Sequence, residues 1–300
     1  MVEPDRALDG RVALVTGGTS GIGRETALAL ADRGASVAIV GRDRKRGRAV
    51  ARELEARGGG AEFYAAGLAS QATVRRLADE FRGRHDRLDV LVHNAGLALD
   101  RRSETADGVE ETLAVNHLAP FLLTRRLADL LVESAPARVV VVSSGLHERA
   151  AIRFDDLQLE RGYDGLAAYS RSKLANVLFA YELAERLRGT GVTANAVDPG
   201  FVPSTALSRG ASLRGRLALR LFSLLPLPFT RSVEEGARPV IRAASDPTLE
   251  GVTGKYFTDD GPTQSSPETY DERTRKRLWD VSAGLVGVSP ELPVEPGARR

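Results

Sequence analysis

Arg11-Val-Ala-Leu-Val-Thr16 runs directly into Gly17-Gly-Thr-Ser-Gly-Ile-Gly23, and this junction decides the fold. Val12 to Val15 are apolar without alternation, the pattern of a strand buried on both faces. Apolar residues then return at helical spacing from about Ile22 to Arg33. Glycines at 17, 21 and 23 allow a tight turn, a close backbone approach to a pyrophosphate, and close packing of helix on strand. The helix N-terminus adds unpaired N–H groups and the positive end of its dipole. A glycine loop placed between a first strand and a first helix reads as a dinucleotide site. Its candidate contacts are Gly17, Thr19, Ser20, Gly21, Ile22 and Gly23.

Working outward, short β-rich runs alternate with helical stretches through two-thirds of the chain. Strands are expected at Ser36–Val40, Phe63–Ala66, Leu88–His93, Val139–Ser143, Gly191–Val197 and Lys255–Thr258. Helices are expected at Arg44–Arg57, Thr73–Arg84, across Gly108–Val132, around Ala168–Arg188, and at Tyr270–Leu285. This order predicts a doubly wound α/β fold: one mostly parallel sheet of about seven strands with helices on both faces. No Pro-, Gly- or Ser-rich linker divides the chain, so residues 1–300 are expected to form a single domain. The second strand ends Ile39-Val-Gly-Arg-Asp43. An acidic residue at such a tip grips a ribose 2′-hydroxyl, whereas an Arg accommodates a 2′-phosphate. Arg42 therefore favours NADP(H). Asp43 keeps NAD(H) in play, although its preferred reading is the N-cap of the next helix.

Composition narrows the function. Hydrophobic residues make up 42% and charged residues 27% of the chain, values of a globular protein with a real core. A net charge of +2, with no basic run interleaved with aromatics, argues against nucleic-acid binding. With no cysteine, disulfides, thiolate metal sites and a thiol nucleophile are excluded. Four scattered histidines give no metal-binding pair, so no metal is expected. Met1–Gly10 is short and polar, and no apolar run approaches the roughly 20 residues that span a bilayer. A cytoplasmic protein without an integral membrane segment is the expectation.

Tyr169 and Lys173 stand one helical turn apart in Ala168-Tyr-Ser-Arg-Ser-Lys173, so their side chains share a face. By themselves they read either as an exposed pair on an amphipathic helix or as a phenol tuned by an ammonium. His93-Asn-Ala-Gly96 follows the fourth strand, Val115-Asn-His117 lies in the long helix, Val142-Ser-Ser144 ends the fifth strand, and Asp198-Pro-Gly200 ends the sixth. Taken with the glycine loop, these elements resemble the short-chain dehydrogenase/reductase family, in its order and over nearly the whole chain. Asn116-His-Leu-Ala-Pro-Phe-Leu-Leu-Thr124, Ser172-Lys-Leu-Ala-Asn-Val-Leu-Phe179, Gly254-Lys-Tyr-Phe257 and Arg277-Leu-Trp279 look like its retinol dehydrogenase-type branch.

The resemblance implies a Rossmann-type domain and a catalytic set of Asn116, Ser144, Tyr169 and Lys173. It further implies cofactor contacts from Leu68, Asn94, Ala95, Gly96, Tyr169, Lys173, Pro199, Gly200, Val202 and Ser204. Tyr169 would exchange a proton with the substrate, Lys173, aided by the positive nicotinamide of the oxidised cofactor, would lower the phenol's pKa from its usual value of about 10, and Ser144 would hold the substrate oxygen. Asn116 would help hold a water beside Lys173. Ser144 is preferred to Ser143 by its family spacing to Tyr169, and because Ser143 points to the other face of the strand. Self-association through the helices around Gly108–Val132 and Ala168–Arg188, as a dimer or tetramer, is a further family expectation.

Three positions depart from the family pattern: Gly67 where an adenine-reading Asp is usual, His93 for the first Asn of its motif, and Asp198 where branch relatives often carry His. None is expected to touch proton or hydride transfer. Residues 201–230 interrupt the strand–helix rhythm. Their basic, leucine-rich segment Leu213–Phe229 reads as a substrate lid, a packed surface helix or a membrane-contacting element, and residues 286–300 read as a tail. The leading function is therefore interconversion of alcohol and carbonyl on a hydrophobic, fairly bulky alcohol, aldehyde or ketone. Alternatives are a non-catalytic dinucleotide-responsive binding protein and a carbon–carbon double-bond reductase. The latter type relies on cysteine, which this chain lacks.

Overall fold

The computed structural model describes residues 6–203 and 230–293. Among the described residues eight strands form one sheet: β1 (Val12–Thr16), β2 (Ser36–Gly41), β3 (Ala61–Ala65), β4 (Val90–His93), β5 (Ala137–Val142), β6 (Val192–Val197), β7 (Tyr256–Thr258) and β8 (Gly261–Thr263). Their order is β3-β2-β1-β4-β5-β6-β7-β8, all parallel except the β7–β8 hairpin. The expected seven-stranded sheet gains β8, which pairs with β7 across the two-residue turn Asp259-Asp260.

Alternate residues of the strands face opposite helical layers. Leu14, Leu91, Val139 and Val141 pack with α3 (Gln71–Arg82), α5 (Ala119–Glu133), α6 (Gly165–Arg186) and α8 (Glu272–Leu285). Ala13, Val15, Val92 and Val140 pack with α1 (Gly21–Asp32), α2 (Arg44–Glu55) and α7 (Val233–Ser245). Helix α7 was not anticipated, because Pro239 reads as a break. Its start is nonetheless written in the sequence as a capping box between Ser232 and Glu235.

A short helix, α4 (Glu111–Leu113), leads through a π turn at Ala114–Leu118 into α5. Pro120 has no N–H to donate to the Asn116 carbonyl four residues earlier, and the wider turn falls where that bond is lost.

Every residue from Ala168 to Ala184 on α6 is buried, more than the single apolar face expected. The sheet covers one side and α8 the other. Trp279 of α8 stacks near Phe179 and meets Phe121 edge-on at 4.8 Å. Its indole N–H donates to the Pro290 carbonyl at 2.6 Å, and Arg125 donates to the carbonyls of Ser289 and Glu291. The late helix therefore packs on the core, over the two helices expected to mediate self-association. No described helix is long and apolar enough to cross a membrane.

The parallel registers pair Thr16 with Val40 and His93, His93 with Val141, and Val142 with Val197. The residues that follow these strand ends therefore line one edge. β1 is where strand order reverses, which places a ligand crevice at that edge.

Candidate active site

Gly17 and Gly21 adopt left-handed φ values of +69° and +56°, so the chain turns sharply between β1 and α1. A Cβ on Gly17 would stand 2.8 Å from Asn94 Nδ2, and one on Gly23 only 2.3 Å from the same atom. Asn94 in turn donates to the carbonyls of Thr16 and Gly17, while its own N–H and that of Ala95 donate to Thr16 Oγ1. The glycines thus let α1 close on a clip formed from the ends of β1 and β4, with Gly96 continuing the same edge. Ser20, at the N-cap of α1, makes no side-chain capping bond, so it leaves the first N–H groups of the helix to a ligand. Thr19 packs beneath Gly41 at the tip of β2, and Ile22 is buried. This donor set fits a dinucleotide's phosphates.

Arg42 is exposed at the β2 tip, with its side-chain carbons 3.9 Å from where a Cβ on Gly67 would stand. Asp43 caps α2, accepting from Arg46 N at 3.0 Å, which is the role preferred for it from sequence. Leu68 follows β3, half-buried against the core. His93 is buried, with Nε2 2.7 Å from Thr124 Oγ1, so it ties β4 to α5. Burial pushes this imidazole down to about 3, so it is neutral.

Tyr169 and Lys173 are 8% and 2% exposed, which removes the surface-pair reading. Lys173 Nζ lies 5.4 Å from the Tyr169 ring centroid and donates to the Val142 carbonyl at 3.0 Å. Ser143 Oγ donates to the Lys173 carbonyl at 2.8 Å, pinning α6 to β5. The hydroxyl of the neighbouring Ser144 instead faces the Tyr169 phenol and favours its charged form. That division of labour agrees with the alternation expected for the two serines.

The Asn116 side chain is engaged on three sides. Its Oδ1 accepts from Leu97 N, and its Nδ2 donates to Leu97 O and to Ser172 Oγ. Ser172 Oγ donates onward to the Tyr169 carbonyl at 2.7 Å. Asn116 and Lys173 Nζ both border Gly96, at 3.5 Å and 3.6 Å from where its Cβ would stand. Sequence reading did not single out Ser172 as this link, although its place three residues after Tyr169 on a helix was visible.

Burial dominates the electrostatics of the pair. Burial drives the Tyr169 phenol above its ordinary value, Asp198 drives it further, and Ser144 only partly offsets them. Burial lowers Lys173 to about 8, against the opposing pull of Asp198. Desolvation therefore outweighs any depression of the phenol by the ammonium. The Asp198 charge acts on both residues in the direction that keeps them protonated.

Asp198 Oδ1 accepts from Gly200 N at 2.8 Å, which shapes the turn Asp198-Pro199-Gly200. Val202 is buried beneath Gly236 of α7. Ser204 and the Leu213–Phe229 segment lie outside the described residues. The imidazole of His147, another residue sequence reading passed over, has Nδ1 2.8 Å from the Ser144 carbonyl, and its Nε2 accepts from Ser266 N.

Comparison with known proteins agrees with this geometry. Residues 11–213 match the family model of the short chain dehydrogenases. The chain is 44% identical over 286 residues to retinol dehydrogenase 12 of Bos taurus, covering 95% of this chain and 89% of that protein. It is 42% identical to retinol dehydrogenase 14 of Mus musculus, covering 94% and 87%. A crystal structure from Mycobacterium paratuberculosis superposes with a TM-score of 0.76 at 32% identity, covering 96% of each chain. Pseudomonas aeruginosa RhlG, solved as an NADP active-site complex, gives 0.67 at 30% identity, covering 86% of this chain and 97% of that one. The chain belongs to the short-chain dehydrogenase/reductase family, in its retinol dehydrogenase-like branch, and is an oxidoreductase acting on CH–OH groups with NAD(P).

Proposed function

We propose that the protein is an NADP(H)-preferring oxidoreductase that interconverts an alcohol and a carbonyl on a hydrophobic, fairly bulky substrate. The observation that carries this reading is the convergence of Ser144, Tyr169 and Lys173 at the same sheet edge as the glycine loop.

Held at the glycine loop Gly17–Gly23 and the N-terminus of α1, the nicotinamide cofactor would supply or accept a hydride at the carbonyl carbon. Ser144 Oγ donates to the substrate oxygen, orienting it and sharing the charge that develops there. Tyr169 Oη delivers the proton to that oxygen in reduction and withdraws it in oxidation. Lys173, on the same helical face, stabilises the phenolate. Asn116 holds the Leu97 backbone and Ser172, and through them the start of α6; a water beside Lys173 completes the proton path to solvent.

NADP(H) preference is supported by the exposed Arg42 at the β2 tip and by the capping role of Asp43. The substrate class rests on the leucine-rich Leu213–Phe229 and on relatives named as retinol dehydrogenases. Polyene alcohols and aldehydes therefore head a screen of hydrophobic alcohols, aldehydes and ketones followed by NADPH absorbance. At least one compound is expected to be turned over far faster by the parent than by Tyr169→Phe; equal rates across the screen would overturn the reading.

A further inference from the structure

Ser144 follows β5, and its hydroxyl is already half committed. Oγ accepts from Leu146 N at 3.3 Å, which leaves its own O–H to be donated. The direction of that donation follows the backbone at Ser144. His147 holds the Ser144 carbonyl twice, through its backbone N–H at 3.0 Å and through Nδ1 at 2.8 Å. A carbonyl can only accept, so Nδ1 carries a proton. Nε2 lies 3.0 Å from Ser266 N, and a backbone N–H can only donate, so Nε2 carries none. The two contacts therefore require the same neutral tautomer, each from its own side of the ring.

His147 is completely buried, and its ring packs on that of Tyr256 in β7 at 4.8 Å. Its partner Ser266 belongs to the segment that follows β8, 119 residues further along the chain. That segment is itself fixed. Ile152 N donates to Glu268 Oε1 at 2.8 Å, and Ser265 Oγ lies 2.6 Å from Thr269 Oγ1. Tyr181 Oη, on the helix that carries Tyr169 and Lys173, is 2.8 Å from Ser265 Oγ. A closed frame results. It runs from Ser144 through His147 and Ser265–Ser266 to α6, beside the direct bond of Ser143 to the Lys173 carbonyl.

We propose that His147 is a positioning residue: its Nδ1–H tautomer, braced by Ser266 N, fixes the Ser144 peptide so that the Ser144 hydroxyl is aimed at the reacting oxygen. The catalytic consequence rests on the proposed function, whereas the tautomer and the brace do not. An imidazole suits the task because one rigid ring makes both bonds, with its orientation locked by the packing around it. Without the Nδ1 donor, the Ser144 carbonyl keeps only the backbone bond from His147, and the turn Gly145–Arg149 loses its tie to the segment after β8. A misplacement of about 1 Å at a reacting group is enough to cost about a hundredfold in rate.

Two measurements on the full chain test this. The protein has four histidines, so the His147 ring can be followed by NMR in 15N-labelled protein, with His147→Asn for assignment. The long-range 1H–15N pattern of a neutral Nδ1–H ring is expected, and an Nε2–H ring overturns the proposal. This is read on the parent, so it stands even if a variant does not fold. The second measurement is kinetic. Asn and Leu are alike in size, and only Asn offers an N–H in the place of Nδ1. With a substrate from the screen, His147→Leu should lower kcat for carbonyl reduction by about 10–100-fold with NADPH affinity kept. His147→Asn should recover most of that loss. In a Ser144→Ala background the Leu substitution should change kcat by less than about twofold, because the residue through which His147 acts is gone. Losses that multiply in the double variant, or an Asn variant as slow as the Leu one, overturn the proposal. If Ser144→Ala is as fast as the parent, the proposed function is wrong about Ser144 and the catalytic consequence falls with it, while an Nδ1–H ring still supports the brace.

Discussion

The two ends of the site's sheet edge are made of opposite materials. Around Gly17–Gly23 the decisive feature is missing side chain: backbone and glycine surround Asn94, and a single added carbon collides with it. Around Tyr169 and Lys173 the decisive feature is buried side chain, with two ionisable groups held in a region from which water is largely excluded. The first end discriminates by shape, and its acidities do not enter. The second can be well packed and still be wrong if one neighbouring charge changes. Substitutions should therefore break the two ends in different ways.

The largest effect is expected from Tyr169→Phe, which removes one oxygen and keeps the ring. It should cut kcat for carbonyl reduction by about 10²–10⁴-fold, the usual contribution of a general acid, with NADPH affinity retained. Steady-state rates and a fluorescence titration of NADPH measure the two quantities. Equal losses in both would erase the distinction between the ends. Gly23→Ala should do the reverse. Its Cβ would meet Asn94 Nδ2 at 2.3 Å and Gly17 O at 2.5 Å; the second is backbone, and the first is held by its bonds to the Thr16 and Gly17 carbonyls. Overpacking of this kind costs about 1–3 kcal/mol, enough to weaken NADPH by about tenfold and to lower the melting temperature. Turnover at saturating NADPH should be close to that of the parent.

The same contrast explains what could be read from the sequence. The alternation of strands and helices, the glycine loop and the shared face of Tyr169 and Lys173 follow from spacing and from residues whose backbone demands are local, whereas Asn94, Asn116 and Ser144 were singled out by resemblance to a family pattern. The choice of Ser144 over Ser143 rested on that pattern's spacing together with alternation along a strand. Helix α7 was hidden because Pro239 is a local breaker, while the burial of Ala237, Val240 and Ala244 against α1 and the sheet is a tertiary gain. The complete burial of α6 was hidden for a related reason: α8 arrives from about a hundred residues away to cover it. The influence of Asp198 on Tyr169 was not legible at all, because it depends on β5, β6 and α6 converging. Sequence distance says nothing about that field.

A smaller and more selective effect is expected at Arg42, which lies at the glycine end but acts through charge. Arg42→Ala should lower the preference for NADPH over NADH by about ten- to a hundredfold, the range of a lost charge-assisted contact. Paired kcat/KM values for the two cofactors measure it. If NADH use falls in parallel, Arg42 serves the fold of the loop rather than the phosphate, and the glycine end would depend on shape alone.

The smallest effect concerns His93, buried beside the catalytic end yet assigned no chemistry. Its folded value of about 3 lies below an ordinary value of 6.5. Below pH 6.5 the unfolded chain binds a proton that the folded chain refuses, so its contribution to stability is complete above that pH and is lost progressively as pH falls toward 3. At pH 5.5 the loss is about 1 kcal/mol, a shift of a few degrees in melting temperature. His117, which burial pushes down to about 4, adds a parallel loss. His93→Asn is expected to be less stable than the parent at pH 7.5 but to lose less on going to pH 5.5. If both proteins lose the same amount, His93 is protonated in the folded state and the burial of this end is less complete than its packing against Thr124 and Phe179 requires.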